Sequence, residues 1–126
     1  MSFIHQWYQD NRVVKVVFDG DVTNEGIASY NDVMTNYMDE GVAPVHVIIE
    51  TSNIGNIKIH PRELLKATQY LKHAHMGWVV LVGSNGFVSF FMTVINSTTP
   101  MRFTKAKTIQ SAYQMLVEKD KTLISI

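Results

Sequence analysis

The side chains best suited to chemistry are the histidines His46, His60, His73 and His75. His73-Ala74-His75 places two imidazoles at alternate positions, the spacing with which an extended segment chelates one metal ion. A zinc site needs at least three protein ligands, and spacing alone puts no acidic residue beside this pair. The reading is two surface histidines in a loop between a helix and a strand, with no metal and no cofactor. Gly83-Ser84-Asn85-Gly86 follows a strand-like run and opens a helical one, where backbone N–H groups are able to hold an anion. It lacks both the Lys-Ser/Thr ending of a phosphate loop and the spacing of a dinucleotide fingerprint, so it reads as a turn capped by Ser84. None of the serines lies in a G-x-S-x-G elbow. Asp19 and Asp21 are the one close carboxylate pair after a strand, and they read as a solvated loop. The sequence therefore predicts no catalytic residues and no enzyme.

Composition narrows the remaining classes. The 126 residues carry 11 Lys+Arg against 11 Asp+Glu, a formal net charge of zero, which does not fit the basic field of a nucleic-acid binder. With no cysteine there are no disulfides, thiolate metal sites or thiol nucleophiles. The N-terminal stretch MSFIHQWYQDNR lacks the basic start and apolar run of a secretory signal, and no run is apolar for the roughly 20 residues a membrane helix needs. The expectation is a cytoplasmic protein without membrane insertion. Since no linker or repeat divides the chain, residues 1–126 read as one domain.

The elements alternate. His5–Gln9 and Arg12–Asp19 are rich in β-formers and meet at Asp10-Asn11, a pair suited to a tight turn. Within the second strand, Val14, Val16 and Phe18 share one face, and Val13, Lys15 and Val17 the other. Thr23 caps a helix on which Ile27, Tyr30, Met34, Tyr37 and Met38 recur at helical spacing up to Glu40, and Gly41 stops it. Val45–Glu50 is a strand. A polar loop, Thr51–His60, leads to a second helix that opens on Pro61 and carries Leu64, Leu65, Thr68 and Leu71. Gly77–Val82 is continuously apolar, as in a central strand covered on both faces. A third helix runs from Phe87 to about Ile95, then a short strand at Met101–Thr104 and a last helix capped by Thr108 with Ala112, Met115 and Leu116.

The predicted fold class is α/β, with element order ββαβαβαβα. Strands joined through helices are parallel with right-handed crossovers, and the opening hairpin adds an antiparallel strand. The result is a mixed, mostly parallel sheet of about five strands with helices mainly on one face. Lys15, His46 and Glu50 mark a face that water or a partner reaches.

One segment is more apolar than a small core requires. Phe87, Val88, Phe90, Phe91, Met92, Val94 and Ile95 spread nearly all round the third helix, and Ser89, Thr93 and Asn96 supply only a narrow polar face. Two readings stay open: a helix buried between sheet and neighbour, or a patch (Phe87, Phe90, Phe91, Met92 and Ile95) that serves a dimer or an apolar ligand. A two-fold homodimer is the commonest assembly that would cover it.

The segments RVVKVVFDGDVTNEGIASYNDVMTNYMDEG, VHVIIETSNIG, GWVVLVGSNGF and MRFTKAKTIQSAYQML, in this order, resemble the STAS-type, SpoIIAA-like family. This is the bacterial anti-sigma-factor-antagonist group, also compared with lipid-binding Sec14-like domains. The resemblance covers nearly the whole chain, through pattern rather than through a diagnostic motif. It implies a mixed sheet with helices on one side and a regulatory or ligand-sensing role. Signalling members are phosphorylated on a serine of an Asp-Ser-Ser-Gly segment that begins the helix after the strand matching Val45–Glu50. Here that stretch reads Asn56-Ile57-Lys58-Ile59-His60-Pro61, without a hydroxyl, so the resemblance implies the fold and a partner-recognition loop without the phosphoserine switch. The leading expectation is a non-catalytic module that binds an unidentified regulatory protein through Asn53, Asn56, Lys58 and His60. The alternative is a carrier or sensor of a small apolar or lipid-like ligand, drawing on the 7 methionines and the aromatic third helix.

Overall fold

In the computed structural model, residues 2–83, 86, 89–91, 93 and 102–124 are described. The chain begins with a hairpin, β1 (Ser2–Gln9) and β2 (Val13–Val22). At its tip the Arg12 N–H donates to the Gln9 carbonyl and Asn11 takes φ 64°, the left-handed conformation that asparagine tolerates. Helix α1 (Asn24–Glu40) follows, with the Thr23 hydroxyl accepting from the Gly26 N–H and the Gly41 N–H closing on the Tyr37 carbonyl. Strand β3 (Val45–Ile57) leads into α2 (Pro61–Ala67), a single 3-10 turn at Gln69–Lys72, and β4 (Met76–Val82). Gly86, Ser89, Phe90, Phe91 and Thr93 are helical, β5 spans Phe103–Ala106, and α3 (Ile109–Lys119) completes the order. Thr108 and Ser111 form a reciprocal capping box at the start of α3. Among the described residues no helix is long and apolar enough to cross a membrane.

The five strands lie in the order β1-β2-β3-β4-β5, with β1 antiparallel to β2 and every other neighbour parallel. Alternation sorts the side chains into two cores. Val14, Val16, Phe18, Val47, Ile49, Val79 and Leu81 pack under Ile27, Tyr30, Met34 and Met38 of α1, Leu64 of α2, and Phe91. Val13, Ile48, Val80 and Val82 face the other way and are sealed by Ala112, Tyr113 and Leu116 of α3, with Leu123. Helices therefore cover mainly one face, and α3 closes part of the second. Lys15, Val17 and Glu50 stay half-exposed on that second face, as the sequence suggests. His46 does not: it is 1% exposed, because the end of α3 lies over it.

The polar stretch after Glu50 is the main departure from the sequence reading. Instead of a loop, residues 51–57 extend β3, with Asp19 opposite Asn53, Gly20 opposite Ile54 and Val22 opposite Ile57. Residues such as Asn, Gly and Ser favour loops locally, but the continuing β2 offers a ladder, and two register shifts absorb the misfit. In consequence β3 outruns β4, whose pairing ends at Glu50 opposite Val82.

Candidate functional site

Of the residues nominated by sequence, Asn53, Asn56, Lys58 and His60 lie at the C-terminal end of the parallel strands, the end where open α/β sheets place their sites. Asp21 organises this corner. Its carboxylate accepts from the Asn56 N–H at 2.8 Å and pairs with Lys58 Nζ at 3.0 Å. Those bonds from Asn56 and Lys58 hold the Asp21 carboxyl below the ordinary carboxylate range. Gly55 fits beneath because a Cβ there would collide with Asp21 Oδ1. Asn53, Asn56 and Lys58 are exposed, whereas His60 has a local duty: its Nδ1 accepts from the Arg62 N–H and caps α2. So Asn53, Asn56 and Lys58 share one protruding two-stranded corner, and His60 stands at its exit. The signal for Asp21, a carboxylate two residues before a helix cap, was present in sequence but pointed to no partner.

Two hydroxyls flank the corner. Thr51 is fully buried and donates to the Val82 carbonyl at 2.8 Å, while Ser52 is exposed. Gly83, at φ 121°, packs so closely here that a Cβ would stand 2.5 Å from Thr51 Oγ1. This glycine is thus required both by backbone conformation and by space.

At the opposite end of the sheet lies a cluster that spacing did not reveal. Asp120, the C-cap of α3, accepts at Oδ2 from Arg12 Nη2 and from His46 Nε2, both at 2.8 Å. The Trp78 N–H donates to His46 Nδ1 at 2.9 Å, which leaves the proton on Nε2 and fixes a neutral ring. Burial pushes the His46 pKa down against the opposing pull of Asp120. Burial would raise the Asp120 carboxyl, but bonds from His46 and Thr122 outweigh it and hold it at about 2. A His–Asp pair of this kind resembles a catalytic dyad only in outline. Both imidazole nitrogens are occupied and the ring is covered, so no face is left for a substrate. The cluster fastens α3 to the starts of β2, β3 and β4.

His73 and His75 are likewise engaged. His73 Nε2 meets Asp39 Oδ1 at 2.8 Å, and its Nδ1 accepts from the His75 N–H. His75 Nδ1 donates to the Met38 carbonyl at 2.8 Å. The pair ties the loop before β4 to the end of α1, and its rings stand 4.9 Å apart at 66°. Among the described residues no three His, Asp or Glu side chains gather as a metal site.

Of the apolar patch, Phe91 is 2% exposed and meets the Phe103 ring edge-on at 5.5 Å, so it is core rather than surface. Phe90 is half-buried against the same core. Phe87, Met92 and Ile95 lie outside the described residues.

With this geometry, the chain superposes on solved structures over 91% of its length. One is the unphosphorylated anti-sigma factor antagonist SpoIIAA, with TM-score 0.63, 11% identity and 97% of that chain covered. Another is the phosphorylated form of the Bacillus cell fate determinant SpoIIAA, at 0.63, 11% and 99%. A third is an uncharacterized DUF3478-family protein from Shewanella loihica PV-4 with a SpoIIAA-like fold, at 0.65, 19% and 92%. The chain has a SpoIIAA-like fold. No protein-family model matches the sequence, and no curated protein matches it. At these identities the likeness is one of backbone, carried by the strand order and the crossovers.

Proposed function

We infer that the protein is a non-catalytic binding module acting through protein contacts at the corner of Asn53, Asn56, Lys58 and His60. The observation that carries this reading is the extension of β3 beyond β4. It leaves a hydrogen-bonded two-stranded ribbon beyond the end of β4, with Val22, Ile54 and Ile57 packed on the first core and Asn53, Asn56 and Lys58 exposed, and Asp21 fixes its backbone before any partner arrives. Preorganisation of this kind lowers the ordering cost of association. That one solved structure of the same fold is an anti-sigma factor antagonist supports a regulatory role.

The module works without a phosphoserine switch at residues 56–61, which hold no Ser or Thr. Thr51 is a poor substitute, since its buried hydroxyl is out of reach of a kinase in the folded state. The test is a photo-crosslinking residue at Asn53, compared in cells with the same residue at Glu118, an exposed position on α3. A discrete crosslinked species at Asn53, lost on Lys58→Glu and absent at Glu118, is expected. Identical patterns at both positions, or a stoichiometric phosphate within the ribbon that abolishes the crosslink, would overturn the respective halves of the reading.

A further inference from the structure

A concave site lies away from the ribbon, between the edge strand β1 and the last turns of α1. It is a cleft of about 330 Å³ lined by His5, Trp7, Val33, Asn36, Tyr37 and Glu40. Its size falls at the lower end of the roughly 300–1,000 Å³ typical of small-ligand sites. Three rings form its wall. Tyr37 stands perpendicular to Trp7, with centroids 4.9 Å apart at 90°, and nearly perpendicular to His5, at 5.4 Å and 82°. The Tyr37 hydroxyl is tied to His5 Nδ1 at 2.7 Å, which fixes the corner.

The formal charges that the last turn of α1 brings to this corner, Asp39 and Glu40, are both negative. α1 contains Glu25, Asp32, Asp39 and Glu40 and neither Lys nor Arg, although cations are the favoured residues near a helix C-terminus. Asp39 is met by His73, but Glu40 has no cationic partner among the described residues. Its charge is felt inside the cleft, where burial and then Glu40 raise the Tyr37 pKa. Perpendicular aromatic faces beside an uncompensated carboxylate suit a cation whose charge is spread over alkyl groups. Such an ion is attracted by the ring quadrupoles and loses little hydration on entering. An anion is repelled here, and a neutral apolar molecule leaves Glu40 unused.

We propose that this cleft binds an alkylammonium group, seated against Trp7 and Tyr37 with Glu40 as counter-ion. The same chemistry is offered by a free quaternary amine and by a trimethylated lysine side chain. The whole protein, labelled with ¹⁵N, is titrated at constant ionic strength with choline, with its uncharged carbon isostere 3,3-dimethyl-1-butanol, and with a short peptide carrying trimethyllysine. Saturable shifts of the Trp7 indole N–H and the Tyr37 amide are expected with a cation and not with the isostere. Tighter binding of the peptide assigns a protein source, and tighter binding of choline a free amine.

Glu40→Gln, an exposed and isosteric change, should weaken binding about 2- to 5-fold, the scale of an exposed ion pair. Trp7→Leu should weaken it about 2- to 30-fold, the range of one cation–π contact. Since Trp7 also packs on the core, the Glu40 variant keeps the test independent of folding. Equal shifts with the isostere, shifts centred on Trp78 instead, or no saturable shift with either cation would overturn the proposal.

Discussion

At the scale of single residues, His46 shows how position can reverse the meaning of a side chain. In sequence it alternates with Ile48 and Glu50 on a face that Lys15 marks as polar, and nothing signals Asp120, which reaches it from the far end of the chain. The structure makes it a buried neutral ring held between the Trp78 N–H and Asp120. The consequence for pH follows from the direction of each shift. The His46 pKa is lower in the folded protein than its ordinary 6.5, so on acidification the unfolded chain takes up the proton first and stability falls. Asp120, held at about 2 against an ordinary 3.8, contributes stability that is complete above 3.8 and lost as pH falls towards 2. Urea titrations should therefore show a first loss below about pH 6.5 and a second below about pH 4. Arg12 and Arg102 add to the field that disfavours a charged His46. His46→Gln should flatten the first window, and Asp120→Asn, which removes the negative charge opposite Arg12 and leaves one acceptor oxygen where Arg12, His46 and Thr122 use two, should cost about 2 kcal/mol near neutrality. An unchanged pH profile in both variants would show that the cluster is not a stability determinant.

At the scale of elements, the sequence was most legible where periodicity met a punctuation residue. Thr23 and Gly41 bounded α1, Pro61 opened α2, Thr108 capped α3, and the Asp10-Asn11 turn set the hairpin. It was least legible where pairing between distant segments overrides local preference. The extension of β3 through Thr51-Ser52-Asn53 is such a case, and so is the site built on it, since the anchoring carboxylate belongs to β2. Asp21→Ala is thus expected to speed amide hydrogen exchange at Asn56 and Lys58 while leaving Ile48 and Ile49 protected. Exchange unchanged at Asn56 would mean that the β2 ladder alone holds the ribbon. In the apolar third helix the described residues 86, 89–91 and 93 are helical, but its orientation was not legible, because a helix hydrophobic on most sides gives no phase. Phe91 decides that phase for its own face: seated against Phe103 and the first core, its truncation to Ala should cost about 3–5 kcal/mol in urea denaturation. A cost below about 1 kcal/mol would place its ring at the surface instead.

For the whole molecule, the two sheet edges are unlike. β5 is four residues long and carries an exposed lysine, Lys105, two features by which proteins protect an edge from pairing. β1 has eight residues, SFIHQWYQ, with no Lys, Arg, Asp, Glu or Pro, and its Ile4 is 71% exposed. Ile4 stands opposite Val17 on the part of the second face that α3 leaves open, next to Lys15 and Glu50. A strand edge without charged residues, continuous with a sheet face that no described element covers, offers a second copy both main-chain hydrogen bonds and apolar contact. Two such edges meeting antiparallel about a two-fold axis form a closed pair, because each β1 is consumed and β5 remains guarded. Self-association, expected from sequence through the third helix, is therefore predicted through β1. The experiment is sedimentation velocity over a wide concentration range on the native chain and on Ile4→Lys, which places a charge at an exposed position and leaves the core untouched. The native chain should show a concentration-dependent rise in sedimentation coefficient that the variant lacks, with equal urea midpoints for both. A native chain that sediments as a monomer throughout, or association that Ile4→Lys leaves intact, would show that this edge is not where two copies meet.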